Sequence, residues 1–205
     1  MSDGYDIKFN NRLEQLLKGY AIGPTAENDF PNCGRNRWEL YKNIKAELND
    51  KYFRDIDGAL TADTDGGAFT RHDLGHINDV INRVGQILGL GSGADTPVAN
   101  ELSPYEVFVL LVACLIHDAG NKFGREGHAG QTRRILVEIC GTTLSQKELS
   151  IISTIAKAHG GKAQDGTKDT IGVLRERDGI ENHKCPSGDI VSRMNRLGGI
   201  TGVAA

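Results

Sequence analysis

Histidine and aspartate are sparse enough in this chain to be followed one by one. Of six histidines, His72, His76, His117, His128 and His159 fall at or near the ends of helices expected from hydrophobic periodicity, and His117 is followed directly by Asp118. Imidazole and carboxylate together are ligands for divalent first-row metals. A mixed set of this kind favours manganese, iron, cobalt, nickel or zinc over magnesium alone. A single histidine is more often structural or solvent-facing than a ligand. Here the series matters, because the ends of four different helices can converge on one side of a bundle. His183 sits in a featureless polar stretch and reads as a surface residue.

The element that must hold such a site is the stretch 103–121, SPYEVFVLLVACLIHDAGN. It carries ten consecutive apolar residues, Val107 to Ile116, immediately before the His-Asp pair. A helix apolar on every face belongs in a core, where it is rigid enough to fix groups at its end. Ser103 and Glu106 form a capping box, and Pro104 stands at the first helical position, where its missing N–H costs nothing. Ahead of it, 69–90 places Ile77, Ile81, Val84 and Leu88 on one helical face beside His72, His76 and Val80, which are spaced four apart. Leu13, Leu16, Leu17 and Tyr20 predict an amphipathic helix over 7–20. Trp38, Tyr41, Ile44, Leu48 and Phe53 predict another over 36–57. Downstream, Ile135, Leu136 and Ile139 follow His128. Ser145 and Glu148 open a further helix with Leu149, Ile151, Ile152 and Ile155, which runs to His159. No strand alternation appears, so the expected class is all-α, with about five core helices and an N-terminal helical extension. The glycine-rich break at 58–68 divides the chain into an extension (1–65), a core (66–162) and a polar, glycine-rich C-terminal segment (163–205).

At 205 residues with 39% apolar and 25% charged content, one domain with a sizeable core is expected. A net charge of −3 and 6% aromatics argue against bulk electrostatic binding of nucleic acid and against a base-stacking platform. Cys33, Cys114, Cys140 and Cys185 include no C-x-x-C pair and suit a reducing, cytoplasmic setting. The N-terminus lacks a signal-peptide layout, and the 107–116 run falls short of the roughly 20 apolar residues a bilayer span needs. No membrane association is expected. The oligomeric state does not follow from the sequence.

Two sequence patterns bear on chemistry. HDLGH at 72–76 resembles the H-E-x-x-H zinc-protease helix with aspartate for glutamate, a reading weakened by the shorter carboxylate arm and by Gly75. The wider set FTRHDLGHINDVI, LLVACLIHDAGN and REGHAGQTRRIL resembles the HD-domain metal-dependent phosphohydrolase superfamily, and within it the HD-CE-type branch of bacterial signalling and conflict systems. The resemblance covers residues 66–162. It implies an HD-domain helical bundle in which His76, His117 and Asp118 bind a metal, with Asp118 also able to orient a nucleophilic water. It further implies that His128 and His159 hold a second ion or contact phosphate. His72 is implied to support a ligand or substrate, and Arg71 and Arg125 are candidate phosphate clamps. One or two divalent ions and a small phosphate substrate, such as a nucleotide, follow from the same resemblance. The superfamily's last ligand, an aspartate on a late helix, has no match before the chain reaches MNRLGGITGVAA. Asp165, Asp169, Asp178 and Asp189 lack the right setting, and the expectation is a sequence cut before that helix. Its absence also motivates an alternative, a non-catalytic module of the same fold that binds a nucleotide or a partner protein.

Overall fold

The computed structural model describes residues 7–22, 37–54, 73–91, 99, 102, 104–124 and 127–157. Among these residues the protein is all-α, with six α-helices and no strand. The helices are α1 (Arg12–Ile22), α2 (Arg37–Leu48), α3 (Leu74–Ile87), α4 (Pro104–Ile116), α5 (Thr132–Cys140) and α6 (Gln146–Lys157). Helix α4 is the axle. Every residue from Tyr105 to Ile116 is buried, and each of the other five helices touches it. A side chain such as Leu110 or Phe108 gains about 1.5–3 kcal/mol from full burial, so α4 is the largest single source of cohesion. No single helix among the described residues is long and apolar enough to cross a membrane.

The helices around α4 follow their apolar stripes. Helix α3 turns Ile77, Val80, Ile81 and Val84 inward and leaves Asp79, Asn82, Arg83 and Gln86 outside. It stops at Gly89, whose φ of 80° is left-handed backbone that glycine adopts at little cost, and Leu90 N–H donates back to the Gly85 carbonyl. Helix α6 opens as its sequence predicts. Glu148 Oε2 accepts from the Ser145 backbone N–H and hydroxyl, both at 2.8 Å, and Ser145 Oγ accepts from Glu148 N–H at 3.2 Å. The other Glu148 oxygen pairs with Arg37 at 2.7 Å, and the Arg37 guanidinium lies 5.0 Å over the Phe108 ring, so one carboxylate joins α6, α2 and α4.

Two features depart from a plain helical reading. Leu48 and Phe53 are five residues apart, too many for one α-helical face, yet both are buried. The chain resolves this with a π-turn at Asn49–Phe53, where i→i+5 closure rotates Tyr52 and Phe53 inward. Helix α3 begins at Leu74, with Asp73 as its N-cap accepting the His76 N–H at 3.0 Å. Of the expected helical run of His72, His76 and Val80, the described helix carries His76 and Val80, and His72 lies outside the described residues. Asp73 spends its carboxylate on the helix end, which removes it as the acid/base of a zinc-protease helix.

Helices α1, α2 and α3 are pinned by a polar cluster that the apolar pattern conceals. Glu14 and Lys45 form a 2.7 Å ion pair with both side chains fully buried. Tyr41 donates to Glu14 at 2.6 Å, Asn11 donates to it from backbone and side chain, and Lys45 also donates to Asn78 of α3 at 2.8 Å.

Candidate metal centre

His117 and Asp118 follow the last residue of α4. Within an α-helix, consecutive side chains point away from each other. Here the chain leaves the α-helix at these two residues and enters a 3-10 turn, Ala119–Phe123, of which Asp118 is the N-cap. His117 keeps the last helical bond, its N–H donating to the Ala113 carbonyl, while the Asp118 carboxylate makes no capping bond and faces histidines instead. The His117 ring is oriented by its own helix. Nδ1 lies 2.8 Å from the Cys114 carbonyl, one of the acceptors a helix end leaves unsatisfied. A carbonyl can only accept, so Nδ1 carries a proton, and whenever the ring is neutral the lone pair is on Nε2. A backbone carbonyl setting the tautomer from behind is the usual support of a metal-binding histidine.

That lone pair points at Asp118. His117 Nε2 is 3.1 Å from Asp118 Oδ2, and His76 Nε2, from the first turn of α3, is 3.5 Å from the same oxygen. The ligand atoms of His76, His117 and Asp118 all lie within 4.8 Å of one another. Two donors bound at about 2.1 Å to one ion are roughly 3.0 Å apart at a right angle and about 3.4 Å apart at a tetrahedral angle. The two nitrogen–oxygen separations, 3.1 and 3.5 Å, are of that size. The charges agree as well, since a neutral imidazole lone pair facing a carboxylate oxygen at this range is repulsive unless a proton or a cation intervenes. Two imidazole nitrogens and a carboxylate oxygen this close form a donor set that could hold a divalent ion. These residues fit a metal ion.

His128 opens a second 3-10 turn, His128–Gln131, and brings Nε2 to 3.3 Å from the other Asp118 oxygen, Oδ1. Asp118 is therefore shared, with one oxygen toward His76 and His117 and the other toward His128. Exposure is graded around it. The His117 side chain is 0% accessible, Asp118 9%, His76 11% and His128 23%, so the site opens on the His128 side. His72, Arg71, Arg125 and His159 lie outside the described residues, as do Asp165, Asp169, Asp178 and Asp189.

Other residues shape the site without having been legible as part of it. Gly120 packs directly against the His128 backbone. Asn121 is buried, its N–H donates to the Asp118 carbonyl, and its Oδ1 has no hydrogen-bond partner among the described residues. Lys122 Nζ donates to the Lys51 carbonyl of the π-turn and sits 5.1 Å over the Tyr52 ring, which meets Phe123 edge to face at 6.3 Å. Burial, followed by the neighbouring Glu138, pushes the Tyr52 phenol up, so it stays a neutral packing group against the site's turn. The signal available for these roles was the turn composition AGNKF after the His-Asp pair, which names small and polar residues without saying what they touch.

No curated protein and no solved structure matches the chain. Residues 66–188 match the HD-CE family, beginning ahead of α3 and taking in His76, the His-Asp pair and His128. That match spans more than half of the sequence and contains all four converging side chains, and the chain belongs to the HD-CE family.

Proposed function

We propose that this protein is a divalent-metal-dependent phosphohydrolase acting on a phosphate ester or anhydride, with a nucleotide or nucleotide signal as its substrate class. The observation that carries the reading is the convergence of His76, His117 and Asp118 at the end of a fully buried helix. These three would hold the ion, which when bound supplies Lewis acidity toward a phosphoryl oxygen and an acidified water. The chain's own groups do the rest. Asp118 presents a fixed carboxylate on which a water can be oriented. His128, on the accessible side, donates to or neutralises the charge that builds on the phosphoryl oxygens, a contribution worth most in a site with little water. The sharing of Asp118 between His128 and the other two histidines also suits a second ion. His159, His72, Arg71 and Arg125 enter the proposal from the sequence resemblance alone, His159 beside His128, and His72 and the arginines as supporting or phosphate-clamping groups.

Metal analysis of purified protein tests the reading, with His117→Ala and Asp118→Ala alongside. Wild type is expected to carry manganese, iron, cobalt, nickel, zinc or magnesium, and both variants are expected to lose it. Unchanged metal in both sinks the proposal. A screen of nucleotides with added manganese follows. Metal bound without turnover would move the reading to a non-catalytic nucleotide-binding module of the same fold.

A further inference from the structure

His128 is the most exposed member of the site and the one least fixed by helix geometry. It belongs to a four-residue 3-10 turn that is preceded by Gly127 in left-handed backbone and leads directly into α5 at Thr132. The contact that sets this turn against the Asp118 turn is backbone on backbone. A Cβ built on Gly120 would lie 2.1 Å from the His128 carbonyl oxygen, 2.8 Å from its carbon and 3.1 Å from its Cα. Real Cβ contacts essentially never come under 3.0 Å, and the atoms in the way are main chain, which cannot swing aside as a flexible side chain can. Gly120 is itself buried between Asp118 and Asn121, whose 3-10 hydrogen bond leaves the turn little room to retreat.

We infer that Gly120 is the positioning residue for His128, its bare α-carbon letting the 128–131 turn dock close enough for Nε2 to reach Asp118 Oδ1. A methyl group at position 120 must part the two turns by roughly 1 Å, a displacement of the size that costs an active site about 100-fold when it falls on a reacting group. Starting from 3.3 Å, that shift takes His128 out of hydrogen-bonding reach of Asp118. His76 and His117 reach Asp118 through α3 and α4 and do not depend on this contact. The effect of the substitution is therefore selective. The inference rests on Asp118 and His128 forming one site, and its test reads the position of His128 without requiring metal or turnover.

The test is carbethoxylation of chelator-treated protein by diethyl pyrocarbonate, with the rate at each histidine followed by peptide mass spectrometry. In Gly120→Ala, His128 is expected to react several-fold faster than in wild type, while His76 and His117 keep their rates. Gly130→Ala is the control. It lies in the same 3-10 turn with nothing within 4 Å of its Cβ position, and it should leave all three rates unchanged. An unchanged His128 rate in folded Gly120→Ala overturns the inference, and so does an equal acceleration at all three histidines, which would mean general loosening. Should Gly120→Ala fail to fold, wild-type NMR decides. Nuclear Overhauser contacts between the Gly120 α-protons and the His128 α-proton are expected, and their absence overturns the inference. Loss or retention of metal in His117→Ala bears on the proposed function and leaves these outcomes untouched.

Discussion

Two buried carboxylates, Glu14 and Asp118, each gather a ring of polar side chains, and they acquire opposite characters. Glu14 is met by a fixed ammonium from Lys45, by the Tyr41 hydroxyl and by Asn11, with no exposure left on its side chain. Its charge is balanced inside the protein, and the cluster closes the joint between α1, α2 and α3. Asp118 is met by three imidazoles, which carry lone pairs as readily as protons, and it keeps an accessible edge. Its neighbours can therefore act toward a cation as ligands as well as toward the carboxylate as donors. A carboxylate becomes a staple when its partners are an ammonium and hydrogen-bond donors that close around it, and a binding centre when its partners can also be metal ligands.

Three measurements would break or sharpen this contrast. The largest effect is expected at the staple. Lys45→Met leaves Glu14 charged and buried with its counter-ion gone, and chemical denaturation should show a loss of about 3–5 kcal/mol. Replacing both partners, as Glu14→Leu with Lys45→Met, should cost less than Lys45→Met alone. If the double change is the worse of the two, Glu14 matters chiefly through Tyr41 and Asn11, and the contrast with Asp118 weakens.

At the centre the response should be linked to metal. Added manganese at about 100 times its dissociation constant should stabilise wild type by roughly 2.7 kcal/mol, read as a rise in the melting temperature. Asp118→Asn should abolish that rise while leaving the melting temperature of the chelated protein much closer to wild type than Lys45→Met does. A full manganese shift in Asp118→Asn would place the ion elsewhere.

The smallest effect is expected at Tyr41. Burial, then the charge of Glu14 and their hydrogen bond, hold its phenol well above the usual value near 10. Tyr41→Phe should cost about 1.5–3 kcal/mol at neutral pH, the range for a hydrogen bond to a charged group. The pH dependence has a definite sign. A group whose folded pKa is raised contributes stability that is complete below its unfolded pKa and declines as pH rises above it. Wild type should therefore lose stability above pH 10, and Tyr41→Phe should lose it less steeply. Equal slopes in the two proteins would show that the Tyr41 phenol ionises alike folded and unfolded and is not held up by Glu14.

Much of the scaffold was legible along the chain because it rests on periodicity and end signals. The Val107–Ile116 run could only be a core helix, the Ile77–Val84 stripe could only face it, and Ser145 with Glu148 marked the start of α6 where the structure has it. The π-turn was not legible, since five-residue spacing reads as a lapse in an α-helical pattern until its hydrogen bonding is seen. Nor was the fate of Lys45. A lysine between Ile44 and Leu48 looks solvated by type, and only the three-helix joint makes it fully buried. That Asp73 would cap the helix carrying His76 was not legible either, because a carboxylate between two histidines reads as chemistry until its bond to the His76 N–H is seen.

The sequence by itself determined the all-α class, the central helix and the chemical identity of the candidate ligands, because residue type and 3.6-residue spacing are local properties. The tertiary structure alone decided that a histidine 41 positions before His117 and another ten positions after Asp118 meet on one carboxylate. It also decided that Asp118 divides its oxygens between them and that a glycine sets the last of these contacts. Those are distances between elements, fixed by how helices and turns pack, and packing is a property of the whole chain.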